Sequence, residues 1–142
     1  MRNGNLKTLG LGQAWQRFKE FFRKSPRPET AKKSRIPRIT EKGLARVEQH
    51  LNDILINQGL PEEFQSGERG MLERLRAGNR TLQDIEFYLH ELKESAVFRR
   101  TGDLLGAHLE ALQWRGVTEK SLFHPEVIQQ NPQLFNESWR EL

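Results

Sequence analysis

Residues 81–126 read TLQDIEFYLHELKESAVFRRTGDLLGAHLEALQWRGVTEKSLFHPE. Thr81 with Asp84 three residues on is a capping signal, Asp standing in for the usual Glu or Gln. Leu82, Ile85, Leu89, Leu92 and Ala96 then recur at helical spacing, with Tyr88 at the border, and predict a helix over 82–97. Thr101 and Asp103 open the next helix, whose apolar face is Leu104, Leu105, Leu109 and Leu112 and whose stop is Gly116. Thr118 caps a short turn carrying Leu122 and Phe123, and Pro125 starts a short helix with Val127 and Ile128. The link over 98–102 is short enough to make the two longer helices antiparallel neighbours.

Upstream, Thr40 is an N-cap for a helix over 41–57 with the stripe Leu44, Val47, Leu51, Ile54 and Leu55, ending near Gly59. His50 falls at the edge of that stripe and reads as a surface or boundary residue. Pro61, Glu62 and Glu63 begin a short turn or helix. A further helix runs through Met71, Leu72 and Leu75 to Gly78. The arginines of that segment, Arg69, Arg74, Arg76 and Arg80, alternate with Glu68 and Glu73 and read as a solvated, self-paired face. Downstream, Leu134, Phe135 and Trp139 suggest a final anchoring turn. No segment shows sustained alternation of apolar and polar residues. The fold class expected is all-α: a small irregular bundle of three or four main helices plus short C-terminal helices.

The net charge of +4 over 142 residues hides a division. Residues 1–39 hold 11 Lys/Arg against 2 Asp/Glu, a net +9, and the remainder holds 12 against 17, a net −5. The expected organisation is a basic, largely flexible arm over 1–38 and a helical domain over 39–142. The arm contains a short amphipathic helix over 13–24, with Trp15, Phe18 and Phe22 on one side, and then a proline-rich basic linker. With no cysteine there is no disulfide framework, thiolate zinc site or thiol nucleophile. No run is apolar and long enough to span a bilayer, and no signal-peptide core is visible, so the expectation is a soluble protein.

Chemistry centres on the histidines. His90 is flanked one turn away by Glu86 and Glu94, a polar ridge roughly 130° from the helix's apolar stripe at 3.6 residues per turn. Carboxylates beside an imidazole fix its tautomer and raise its pKa, which suits a general acid or base. Glu91 follows His90, but position 94 is Glu, so the metalloprotease pattern of two His four apart is absent. His108 lies within the apolar seam between Leu104 and Leu112, where a buried imidazole needs a partner. His124 precedes Pro125 and Glu126 at a helix start. Three histidines from three elements, His90, His108 and His124, with Glu91, Glu94 or Glu126, can make a site for a divalent metal. The same set can make a metal-free acid–base site. Arg99 and Arg100 are candidate phosphate-binding residues. Each histidine also has a plainer reading, as a satisfied core or turn residue.

The runs EFYLHELKE, GAHLEAL and LFHPEVI, closing on LFNESW, resemble the C-terminal toxin modules of bacterial polymorphic toxins, of the contact-dependent-inhibition, haemagglutinin and Rhs-like kinds. Phe87, Tyr88, His90, Glu91, Ala107, His108, His124, Pro125 and Glu126 carry the resemblance, and Phe123 stands where a Tyr is expected. It implies an effector of the bacterial cytoplasm, delivered into a target cell and neutralised by a cognate immunity protein. The leading expectation is a hydrolytic domain, nuclease-type, acting on nucleic acid. Its catalytic set is His90, Glu91, His108, His124 and Glu126, with Tyr88, Arg99 and Arg100 contacting substrate. The rival expectation is a non-enzymatic helical adaptor, or a phage or secretion-system structural protein. It would bind a partner, a nucleic acid or a membrane surface through the basic arm.

Overall fold

A computed structural model describes residues 37–135 and Trp139. The amphipathic segment 13–24 and most of the basic linker lie outside the described residues. Within them the fold is all-α: five α-helices joined by short turns, and no strand.

Helix α1 (Glu41–Gln58) starts where the Thr40 hydroxyl accepts the Gly43 N–H, and stops where Gly59 adopts a left-handed φ of 66° and donates to Leu55 O. That conformation costs glycine no Cβ clash, so the chain turns there. A 3₁₀ turn (Glu62–Gln65) leads into α2 (Ser66–Arg76). Helix α3 (Leu82–Thr101) opens on the expected capping box, with Thr81 and Asp84 exchanging hydrogen bonds. It runs one turn beyond the expected 97, because the next glycine able to end it is Gly102 at φ 75°. Asp103 then caps α4 (Leu104–Arg115), and a 3₁₀ turn (Glu119–Leu122) and α5 (Pro125–Gln130) follow.

Helix α3 is the middle of the bundle. It packs against α1, α2, α4 and the 119–122 turn. Contacts from Glu86 to Arg115 and from His90 to His108 show that α3 and α4 run antiparallel, as their short link requires. The apolar core joins Val47 and Leu51 of α1, Met71 and Leu75 of α2, Phe87 of α3, and Leu122, Phe123 and Ile128. Phe135 stacks on Trp139 and meets Phe123 edge-on, which places the expected anchoring turn on this core.

The inner face of α3 is wider than the stripe read from its sequence, of which Ile85 is buried and Leu89 and Leu92 pack partly buried against the core. Leu82 is 71% exposed and Ala96 is exposed, whereas Asp84, Glu86, His90, Glu91, Glu94 and Ser95 are buried. A helix covered on several sides has no single apolar stripe. Its inward polar groups are stable because neighbouring elements supply partners. On α4, Leu105 of the expected face is 43% exposed, and Ala107, His108 and Ala111 are inside. The expected solvated arginine face is also corrected at Arg74, whose guanidinium grips the buried Asp84 carboxylate through Nε at 2.9 Å and Nη2 at 3.0 Å and reaches Glu126.

Candidate functional site

Five buried titratable residues form a chain of contacts through the bundle. Glu94, on the fourth turn of α3, is at its centre. Its Oε1 accepts from His50 Nε2 of α1 at 2.7 Å, and its Oε2 accepts from His108 Nδ1 of α4 at 2.6 Å. His90 Nε2, one turn back on α3, lies 3.2 Å from the same Oε2 and 3.1 Å from His108 Nδ1. On the far side of His108, Nε2 donates to Glu119 Oε1 at 2.7 Å. Glu91 stands beside this chain, with Oε1 3.9 Å from His50 Nε2. Every one of these residues is at most 5% exposed.

Local sequence explains the convergence. His90 and Glu94 are four apart on α3 and so share a face. The antiparallel α3–α4 hairpin sets His108 opposite His90, and the turn that Gly116 opens returns Glu119 to the far edge of the His108 ring. His50 comes from the third turn of α1, between Val47 and Ile54 of the buried stripe.

Electrostatics polarise the cluster. Burial alone raises the Glu94 carboxyl, but hydrogen bonds from His108, His50 and His90 outweigh it and hold the group well below the usual carboxylate range. Burial alone lowers His108, but Glu119 and Glu94 at its two nitrogens overcome this and lift it to about 9. At His90 burial prevails over the pull of Glu94, and the imidazole is held below its ordinary value. A charged His108 thus lies against a His90 kept towards neutrality.

Two of the expected catalytic histidines, His90 and His108, therefore meet, and Glu91 is adjacent. The other assignments fall elsewhere. His124 caps α5: its Nδ1 accepts the Glu126 N–H at 3.0 Å, which serves the helix start and leaves it outside the cluster. Glu126 is exposed and pairs with Arg74 at 3.1 Å. Arg99 and Arg100 are exposed on the last turn of α3, and Arg100 faces Glu110 at 3.9 Å. Tyr88 is buried against α1, where its hydroxyl sits over Gly43. Glu86 leaves the expected ridge to grip Arg115 through two hydrogen bonds. His50, expected at the surface or its boundary, is 1% exposed and belongs to the cluster. Its signal was its place on the stripe, three after Val47 and four before Ile54. Glu119 had no such signal, because it lies in a turn.

A cavity of about 20 Å³ reaches Glu91, Glu94, His108 and Glu119, with Leu51 and Phe64 among its apolar walls. That is room on the scale of one water. The atoms His90 Nε2, His108 Nδ1 and a Glu94 oxygen lie within 4.8 Å of one another. Two imidazoles and one carboxylate are a donor set that zinc and ferrous iron both accept. The edges from His90, 3.1 and 3.2 Å, approach the roughly 3.4 Å between donors around a tetrahedral zinc. The shorter His108–Glu94 edge holds a proton that a metal would displace. Glu119 behind His108 supplies the outer carboxylate that orients a metal-binding imidazole. The residues fit a divalent cation.

Fold and site together define an all-α domain with a buried histidine–carboxylate cluster. No protein-family profile matches the chain, and no curated protein or solved structure matches it either. Among the described residues no helix is long and apolar enough to cross a membrane.

Proposed function

We propose that the chain is a hydrolytic effector domain that works through a divalent cation held by His90, Glu94 and His108. The observation behind this is the packing of His90 Nε2, His108 Nδ1 and Glu94 Oε2 within 3.2 Å of one another, with Glu119 behind His108. A cation in such a site supplies Lewis-acid activation of water. The chain's own residues do the rest. Glu119 fixes the His108 tautomer, the α3–α4 hairpin sets the two imidazoles against each other, and the apolar cavity wall limits access to water-sized molecules. The toxin setting, with its immunity protein and nucleic-acid substrate, is supported by the sequence pattern around His90, Glu91 and His108. A polymeric substrate reaches the cavity only if its α1 and 62–65 wall moves. Elemental analysis of purified wild type and His108→Ala tests the reading, together with growth inhibition on expression. Near-stoichiometric metal and toxicity, both lost in a folded His108→Ala, support it; a wild type free of metal after loading with zinc sinks it.

A second reading rests on one specific observation: Glu94 already accepts from three buried imidazoles. In it the cluster is a structural polar network, and the chain is an adaptor whose basic arm binds an anionic partner. Deleting residues 1–38 separates the two, since an adaptor loses its binding whereas an effector keeps its activity.

A further inference from the structure

The two oxygens of Glu94 have different surroundings. Oε2 faces His90 and His108, and Oε1 faces His50 Nε2 at 2.7 Å. His50 Nε2 is 3.9 Å from Glu91 Oε1. The donor atoms of His50, Glu91 and Glu94 lie within 4.8 Å of one another, and none of the three residues is more than 5% exposed. We propose that these three residues form a second divalent-cation position, so that Glu94 bridges a dinuclear centre.

This deepens, and rests on, the reading of His90, Glu94 and His108 as the first position. Three observations carry it. The second donor set is nearly separate from the first, with His50 from α1 and Glu91 from α3, and shares only Glu94. Glu91 and Glu94 are three apart on α3, so both carboxylates reach the same side of the helix facing α1. Two buried carboxylates converge on one imidazole edge, which concentrates negative donor atoms where a cation would be balanced. His50 directs Nε2 at both, 2.7 Å from Glu94 Oε1 and 3.9 Å from Glu91 Oε1. One imidazole and two carboxylates suit zinc, manganese or ferrous iron. Paired cations in hydrolytic centres stand about 3.5–4 Å apart and clamp the attacking and leaving oxygens of a displacement. Of the substrates such centres hydrolyse, a phosphoester is the one that fits the nucleic-acid reading proposed above.

Equilibrium dialysis of the full chain against Zn²⁺, read by elemental analysis, tests the proposal. Wild type, Glu91→Gln, His50→Gln and Glu94→Gln are compared, with circular dichroism to verify that each is folded. The expected stoichiometry is two zinc per chain in wild type and one in either Glu91→Gln or His50→Gln. Glu94→Gln is expected to bind less than one. A single zinc in wild type that survives in Glu91→Gln overturns the second position and leaves the first standing. No zinc in wild type overturns both. Two zinc in wild type and still two in folded Glu91→Gln and His50→Gln also overturns the assignment. The wild-type count stands without any variant, so misfolding of one variant does not shield the proposal.

Discussion

Glu94 shows how a single buried charge is stabilised. Three imidazoles from two other helices and its own helix surround it, and His108 is in turn held by Glu119. Removing Glu119 should leave the shape of the site intact but free the far edge of the His108 ring. Glu119→Gln is therefore expected to weaken zinc binding by about 10–100-fold, as outer-sphere partners do. Competition with a chelator of known affinity would measure it, and an unchanged affinity would remove Glu119 from the site. Asp84 gives the pH dependence at this scale. Burial pushes its carboxyl up, but Arg74 and Thr81 prevail and hold it below the ordinary range. A carboxyl lowered in the native state stabilises above its unfolded pKa, near 4, and that contribution is lost as pH falls through the lowered native value. In acid titrations followed by circular dichroism, wild type should lose stability below about pH 4. Asp84→Asn should start less stable and show a shallower dependence there.

Between elements, two contacts set how α3 is seated. Arg74 of α2 holds the buried Asp84 at the start of α3, with side chains 13% and 0% exposed. Arg74→Met leaves that carboxylate without its guanidinium, and the expected cost is about 3–5 kcal/mol in urea unfolding. A loss under 1 kcal/mol would mean that Thr81 alone suffices. On the other side, α1 approaches α3 so closely at Gly43 that a Cβ there would collide with the Tyr88 hydroxyl and ring. In an exposed helix Gly→Ala stabilises by up to about 1 kcal/mol. Here Gly43→Ala should instead destabilise by about 1–3 kcal/mol, because Tyr88 is buried and must move. A stabilised Gly43→Ala would show that the two helices have room to part.

For the whole molecule, the cluster links metal binding to folding. Its ligands come from α1, α3 and α4, so a cation that binds only the assembled bundle stabilises all of it. At zinc concentrations about 100 times the dissociation constant the gain is about 2.7 kcal/mol, on the order of 10 °C in Tm for a domain of this size. Calorimetry with and without zinc, reversed by chelator, would detect it. An unmoved Tm would favour the metal-free polar network.

Local order was legible in the chain. The capping box at Thr81 and Asp84, the caps at Thr40 and Asp103, and the glycine stops Gly59 and Gly116 are short-range chemistry, set by residues within about four positions of one another. So the all-α class and most helix bounds followed from sequence, and the short link after α3 made it possible for His90 and His108 to meet, although His124, expected with them, caps α5 instead. What faced inward did not follow. The α3 sequence has an apolar stripe ending in Leu82 and Ala96, yet the bundle turns His90, Glu91 and Glu94 to the core, because α1 and α4 bring matching groups from 14 to 44 residues away. His50, Glu119 and the double role of Glu94 exist only once those segments meet. Helical periodicity reports a residue's angle around its own axis; which angles are covered, and by what, is decided by tertiary packing.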